Sequence, residues 1–216
     1  MPNNNADDSV EGNFKAVTTQ IGKVFVNNEP FFDDVVNRFI DDAFDLGLQE
    51  AKQKLVLEDF RLNFEKMDKL KETLRLNHIA IIHSLLSSIE KDMGILLTTI
   101  DLNEIPFTNA AFKREIQFLF QKKMGQVETG IITEVNRAVG KGLIFGYEES
   151  GVVTHKQWVS VIDNRTTPIC LHLNGEIVEL GQPFSTGDYS EPAHFNCRSK
   201  VIPLTLTETQ LERFRQ

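Results

Sequence analysis

Cys170 and His172 stand two apart in TTPICLHLNGEIVEL, and His194 and Cys197 stand three apart in EPAHFNCRSKVIP. These are the only two cysteines in the chain. Two sulfurs and two imidazoles are the donor set of a tetrahedral zinc site. The spacing C-x-H followed by H-x-x-C predicts Cys170, His172, His194 and Cys197 as zinc ligands, provided that Ile169 opens a strand. Residues two apart on a strand share one face. A small module with little core would gain stability from such a clamp.

Three other readings compete. Cys170 can be a buried small hydrophobe with His194 capping a turn. Cys170 and Cys197 can pair as a disulfide, against the reducing conditions of a cytoplasm. Cys170, His194 and Asp163 can also be drawn as a thiol-hydrolase triad, although no oxyanion hole is marked. In IDNRTTPIC, Asp163, Asn164 and Pro168 are turn formers. Asp163 could pair with Arg165 or with Arg198, but the preferred reading is a tight loop held by hydrogen bonds from Asp163 to the backbone. His78, His83 and His155 show no ligand spacing.

The elements that must position these residues fall into two grammars. Residues 1–27 are polar and weakly patterned, and predict a flexible arm with one short strand at KVFVN. From Glu29 to Leu102 the pattern is helical. Pro30 suits a first helical turn. Val35, Val36, Phe39, Ile40, Ala43 and Phe44 recur at three and four, and Phe60, Phe64, Met67, Leu70 and Leu74 continue the spacing. DLNEIPFTN interrupts, and a second helix follows with Thr108 or Asn109 as N-cap. Its apolar face is Phe112, Ile116, Leu119, Phe120 and Val127, and Gly140 and Gly142 fit its stop.

Beyond that the chain reads as β-rich. WVSV alternates as a strand, Asn174-Gly175 marks a hairpin, and SKVIPL reads as a last strand. LTETQLERFRQ predicts a short closing helix. The expected fold class is therefore α+β: long N-terminal helices, as a bundle or hairpin, then a small β-rich C-terminal module. The boundaries are 1–27 for the arm, 28–140 for the helical region and 141–216 for the module.

Composition narrows the function classes. A net charge of −8 over 216 residues argues against sequence-independent DNA binding, which needs a basic field. KREIQFLFQKK and EVNRAVGK could still meet DNA locally, though a solvated helix face is the default. The apolar runs are far short of the ~20 residues of a membrane span. The first residues show no secretory signal. A soluble protein made in the cytoplasm is expected.

The ordered set Trp158, Asp163, Arg165, Thr166, Cys170, Leu173, Gly175, Pro192, His194, Cys197 and Arg198 resembles the C-terminal domain of the phage Mu F-like minor head protein family. The resemblance covers residues 132–206. It departs at Asn174 and at Ser199, where the family commonly has a second cysteine; His172 is left as the replacement ligand. The resemblance implies a structural, non-enzymatic virion component of a tailed phage or prophage. Such a protein is made in the host cytoplasm and sits in the head interior. It associates with portal and capsid proteins and acts in head assembly or in genome packaging and delivery. The enzyme-class alternative is a zinc- or thiol-dependent hydrolase, a nuclease or maturation protease, carried by Asp163, His194 and Cys197.

Overall fold

The computed structural model describes residues 33–35, 37–56, 61–101 and 109–206. The expected arm, the strand at KVFVN, Pro30, Thr108 and the closing helix from Thr207 lie outside them. The helices are α1 (residues 37–55), α2 (Phe64–Asp101), α3 (Asn109–Ser150) and α4 (Pro168–Leu173). The strands are β1 (His155–Val159), β2 (Ile177–Glu179) and β3 (Lys200–Leu204). Long helices followed by a small antiparallel sheet are the α+β architecture that the sequence predicts. Among the described residues, no helix is long and apolar enough to cross a membrane.

The chain divides into two compact units. One contains residues 79–128, the later part of α2 and the early part of α3. Lys123 on α3 is buried there, and its Nζ lies 2.6 Å from Asp92 and 2.8 Å from Ser88 on α2. A buried ammonium needs its counter-charge more than the pair needs to exist. Asp92→Ala should therefore lower the melting temperature more than Lys123→Met, which removes the charge and keeps the apolar stem. Thermal unfolding of the two variants side by side checks the order.

The other unit combines residues 37–78 with residues 129–216. Asn63 caps α2 by accepting the amide of Lys66 at 3.0 Å. Ion pairs then tie α2 to its neighbours: Arg75 forks onto Asp41 of α1, and Lys66 reaches Glu148 of α3 at 2.8 Å. The tightest contact is between α1 and α3. Ala43, Gly47 and Ala51 recur every fourth residue on α1, and Ala138, Gly142 and Gly146 do so on α3. Such rows lie on one helix face. A Cβ at Gly47 would lie 2.0 Å from the Val139 carbonyl oxygen, and one at Gly142 would lie 2.0 Å from that of Phe44. The backbones meet where side chains would otherwise stand.

Two expectations change here. Gly140 and Gly142 do not stop α3, which runs on to Ser150. The buried stripe of α1 is Ile40, Ala43, Phe44, Leu48 and Ala51, with Phe39 60% exposed. Apolar periodicity tracks large residues, whereas this contact is made by small ones.

The sheet has the order β2-β1-β3 with both pairs antiparallel. Trp158, fully buried on the central strand, pairs in register with Val201 and meets the edge of Phe184 with ring centroids 5.2 Å apart. Lys156 shares that face two residues away and is also fully buried. Its Nζ donates to the Tyr189 carbonyl at 2.8 Å and sits over the Phe184 and Tyr189 rings. Burial pushes this ammonium down to about 8, with Lys141 adding to the shift. The core of the module is continuous with helix residues: Leu143, Ile144 and Tyr147 of α3 and Ala51 of α1 pack with Trp158, Leu173, Phe184 and Val201.

Candidate metal centre

Thr167 and Pro168 decide the first half of the site. Thr167 is extended (φ −73°, ψ 155°) and its hydroxyl accepts the Cys170 amide at 3.3 Å, while Pro168 occupies the first turn. That is a helix start, with an N-cap threonine followed by a proline that loses no needed donor. Residues Pro168–Leu173 are therefore helix α4 and not the first arm of a hairpin. Asn174-Gly175 is a helix-to-strand turn, with Gly175 at φ +87° in the region glycine favours.

The helix separates the C-x-H pair. Two residues turn an α-helix by about 200°, so Cys170 faces inward and His172 outward. Cys170 is 4% exposed, whereas His172 is exposed with its Nε2 at 3.2 Å from Ser185 Oγ. The strand geometry that would have aligned them does not occur.

The H-x-x-C segment folds as a tight turn. The Cys197 amide donates to the His194 carbonyl at 3.3 Å, and Asn196 takes a left-handed conformation at φ +57°. Asparagine tolerates this better than most residues. The Asn196 amide donates to Thr133 Oγ1 of α3 at 3.3 Å, which anchors the turn.

Cys170, His194 and Cys197 come together as a result, with their ligand atoms all within 4.8 Å of one another. Among the described residues no other such His, Cys and carboxylate group forms. Cys170 Sγ lies 3.6 Å from Cys197 Sγ and 2.9 Å from His194 Nε2. Both cysteines are buried free thiols, so the disulfide reading does not hold in this structure. Two sulfurs bound to one zinc at about 2.3 Å stand about 3.8 Å apart in a tetrahedron, and the observed separation is close to that.

The histidine is oriented for the role. His194 Nδ1 lies 2.7 Å from the Phe195 carbonyl, which can only accept, so Nδ1 carries the proton. Nε2 then presents its lone pair to the cluster. A backbone carbonyl that fixes the tautomer in this way is the usual outer partner of a metal-bound histidine. Thr167 Oγ1, at 2.8 Å, and Cys170 both address that one lone pair. The donor set therefore fits a zinc ion held by two thiolates and one imidazole.

Ser199 borders the cluster. It is buried, with Oγ 3.1 Å from Cys170 Sγ and 3.0 Å from Ser160 Oγ. Ser160 in turn donates to the Cys170 carbonyl at 2.7 Å and accepts from Trp158 Nε1 at 3.1 Å. Nothing in the spacing of Ser160 and Ser199, 39 residues apart, announced this chain of hydroxyls. The Thr167-Pro168 signal for α4 was available in the sequence.

The thiol-hydrolase triad does not form. Asp163 receives both arms of Arg198, at 2.7 and 2.6 Å, and accepts the Arg165 amide at 2.8 Å. The partner of His194 Nδ1 is a carbonyl and not a carboxylate. Burial pushes the Cys170 thiol up and Cys197 adds to that, while hydrogen bonds from Ser199 and Thr167 oppose it. A raised thiol is the opposite of an activated nucleophile.

The Arg198 fork, followed by the Arg165 amide, holds the Asp163 carboxyl well below the usual carboxylate range. A depressed carboxyl adds stability that is complete above its unfolded value of about 3.9 and is lost as pH falls through the folded value. Asp163→Asn should therefore lower the melting temperature at pH 7, and the gap to the parent should close progressively under acid. Paired thermal melts across pH read this difference directly.

No curated protein and no solved structure matches the chain. Residues 108–202, from the start of α3 into β3, match the model of the family described as Phage Mu protein F like protein, which bears out the resemblance carried by the module's residues and extends it back through the long helix.

Proposed function

We propose that this protein is a structural minor head protein of a tailed phage or prophage. It is made in the host cytoplasm and carried in the head interior, where it associates with portal and capsid proteins. It acts in head assembly or in genome packaging and delivery. The observation that carries this reading is the family match over residues 108–202.

The chemistry of the chain agrees with it. The residues that could have formed a hydrolase are engaged in holding the fold: Asp163 clamps Arg198, and Cys170 is buried. A net charge of −8 suits contact with other structural proteins better than wrapping of DNA, and leaves DNA contact to local basic stretches. In this reading the helical region through residue 140 docks on the portal or capsid, and the module from 141 is the compact platform. Zinc held by Cys170, His194 and Cys197 staples α4 to the turn that leads into β3. Its contribution is to folding, as when other thiolate and imidazole ligands gather around zinc.

Deleting the gene from a phage that encodes it tests the role. Loss of infectious particles, with heads unassembled or empty and rescue by a plasmid copy, is expected. A normal yield of filled, infectious particles from the deletion would overturn the reading.

A further inference from the structure

The fourth corner of the metal centre is the part of the site that the three ligands leave open. Ser199 is the nearest candidate, and the hydrogen bonds around it decide against it. Trp158 Nε1 can only donate, so Ser160 Oγ accepts from it. The single proton of Ser160 goes to the Cys170 carbonyl, 2.7 Å away. Toward Ser199, Ser160 is therefore an acceptor, and Ser199 is the donor. Ser199 also points its hydroxyl at Cys170 Sγ, 3.1 Å away. As a thiolate Cys170 can only accept. Ser199 has one hydroxyl proton to share between these two acceptors, and toward the sulfur it is a neutral donor from outside. A neutral alcohol is also not among the usual zinc ligands, which are thiolate, imidazole and carboxylate.

A cleft reaches the same cluster from solvent. Its walls include Arg165, Asn196 and Arg198, and Cys170 and His194 line it as well. His194 is half-buried and, with Cys170, is part of the cleft wall, so the cluster lies next to space open to solvent. The Arg198 guanidinium is neutralised by Asp163, whereas Arg165 is exposed and adds a positive charge to the walls. Three protein ligands with access from solvent is the arrangement of an exchangeable metal position, in contrast to a closed four-ligand staple.

We infer that the metal held by Cys170, His194 and Cys197 keeps one exchangeable coordination position facing this cleft, which water occupies and a small monodentate anion displaces. Ser199 acts as a hydrogen-bond donor to the Cys170 thiolate and not as a ligand. The inference rests on the metal reading given above.

Cobalt(II) substitution of the full chain separates the two claims. Cobalt bound by thiolates gives charge-transfer absorption in the near ultraviolet and ligand-field bands in the visible. Titration with azide should shift the visible bands saturably while the charge-transfer absorption persists. Ser199→Ala should respond to azide as the parent does. Ser199→Cys should add thiolate charge-transfer intensity and lose the response to azide, because a third sulfur closes the site. If cobalt binds with thiolate charge transfer but azide leaves the bands unchanged, the open position is wrong and the metal reading stands. An azide response that appears only in Ser199→Ala makes the serine a ligand and overturns the inference. Absence of thiolate charge transfer on adding cobalt removes the metal reading and the inference together.

Discussion

Gly142→Ala is expected to unfold or severely destabilise the unit that carries the sheet. The added Cβ would stand 2.0 Å from the Phe44 carbonyl oxygen and 2.8 Å from its carbon, both backbone atoms of α1. Side chains can rotate away from an intruder, but a helix backbone must move as a body. Ordinary overpacking costs about 1–3 kcal/mol, and this clash should exceed that range. Moving α1 also disturbs Ala51, which packs with Trp158 and Leu143 in the core of the module. Gly125→Ala supplies the contrast on the same helix. A Cβ added at Gly125 would meet nothing within 4 Å, and the backbone there is helical. The substitution should stabilise by about 0.5–1 kcal/mol, because alanine loses less backbone freedom on folding. Circular dichroism melts of the two variants should therefore move in opposite directions. Equal effects at both positions would mean that α1 and α3 do not approach as closely as described.

Metal removal is the second large effect. A ligand at a thousand times its Kd stabilises the folded state by about 4 kcal/mol. A chain of this length shifts its Tm by roughly 2–4 °C per kcal/mol. Chelation of zinc-loaded protein under reducing conditions should therefore lower the Tm on the order of 10 °C. Cys170→Ser and His194→Ala should show a low Tm that added zinc does not restore. His172→Ala should keep the Tm of the parent and its response to zinc, because His172 faces away from the cluster and pairs with Ser185. Elemental analysis should find about one zinc per chain, the stoichiometry of a single tetrahedral site. A chain whose melting is indifferent to chelator would leave the module held by its apolar core alone.

How legible each residue was follows from what carries its role. Trp158 and the KVIPL strand were visible because strand alternation and large apolar residues mark a half-buried sheet; β3 occurs where expected, whereas β1 lies earlier than WVSV and shares only Trp158 and Val159 with it. The H-x-x-C turn was visible because its two donors lie within one tight turn. The C-x-H pair failed because its meaning depends on local conformation: it converges on a strand and diverges on a helix. The conformation was set by Thr167 and Pro168, just before the pair, whose N-cap pattern competed with the turn signal of Asn174-Gly175. Gly140 and Gly142 were ambiguous for a different reason. A glycine marks a helix end and a close backbone approach by the same absence of a side chain. Only the partner decides between them, and for Gly142 the partner is Phe44, far away in the chain. The buried Lys156 left no signal at all, since a lysine on a strand ordinarily faces solvent.

The most direct test is the position of the protein in the particle. Purified phage particles should contain it, and chemical cross-linking followed by mass spectrometry should join residues of its helical region to portal or capsid proteins. A chain absent from purified particles, or cross-linked only to proteins outside the head, would contradict the account.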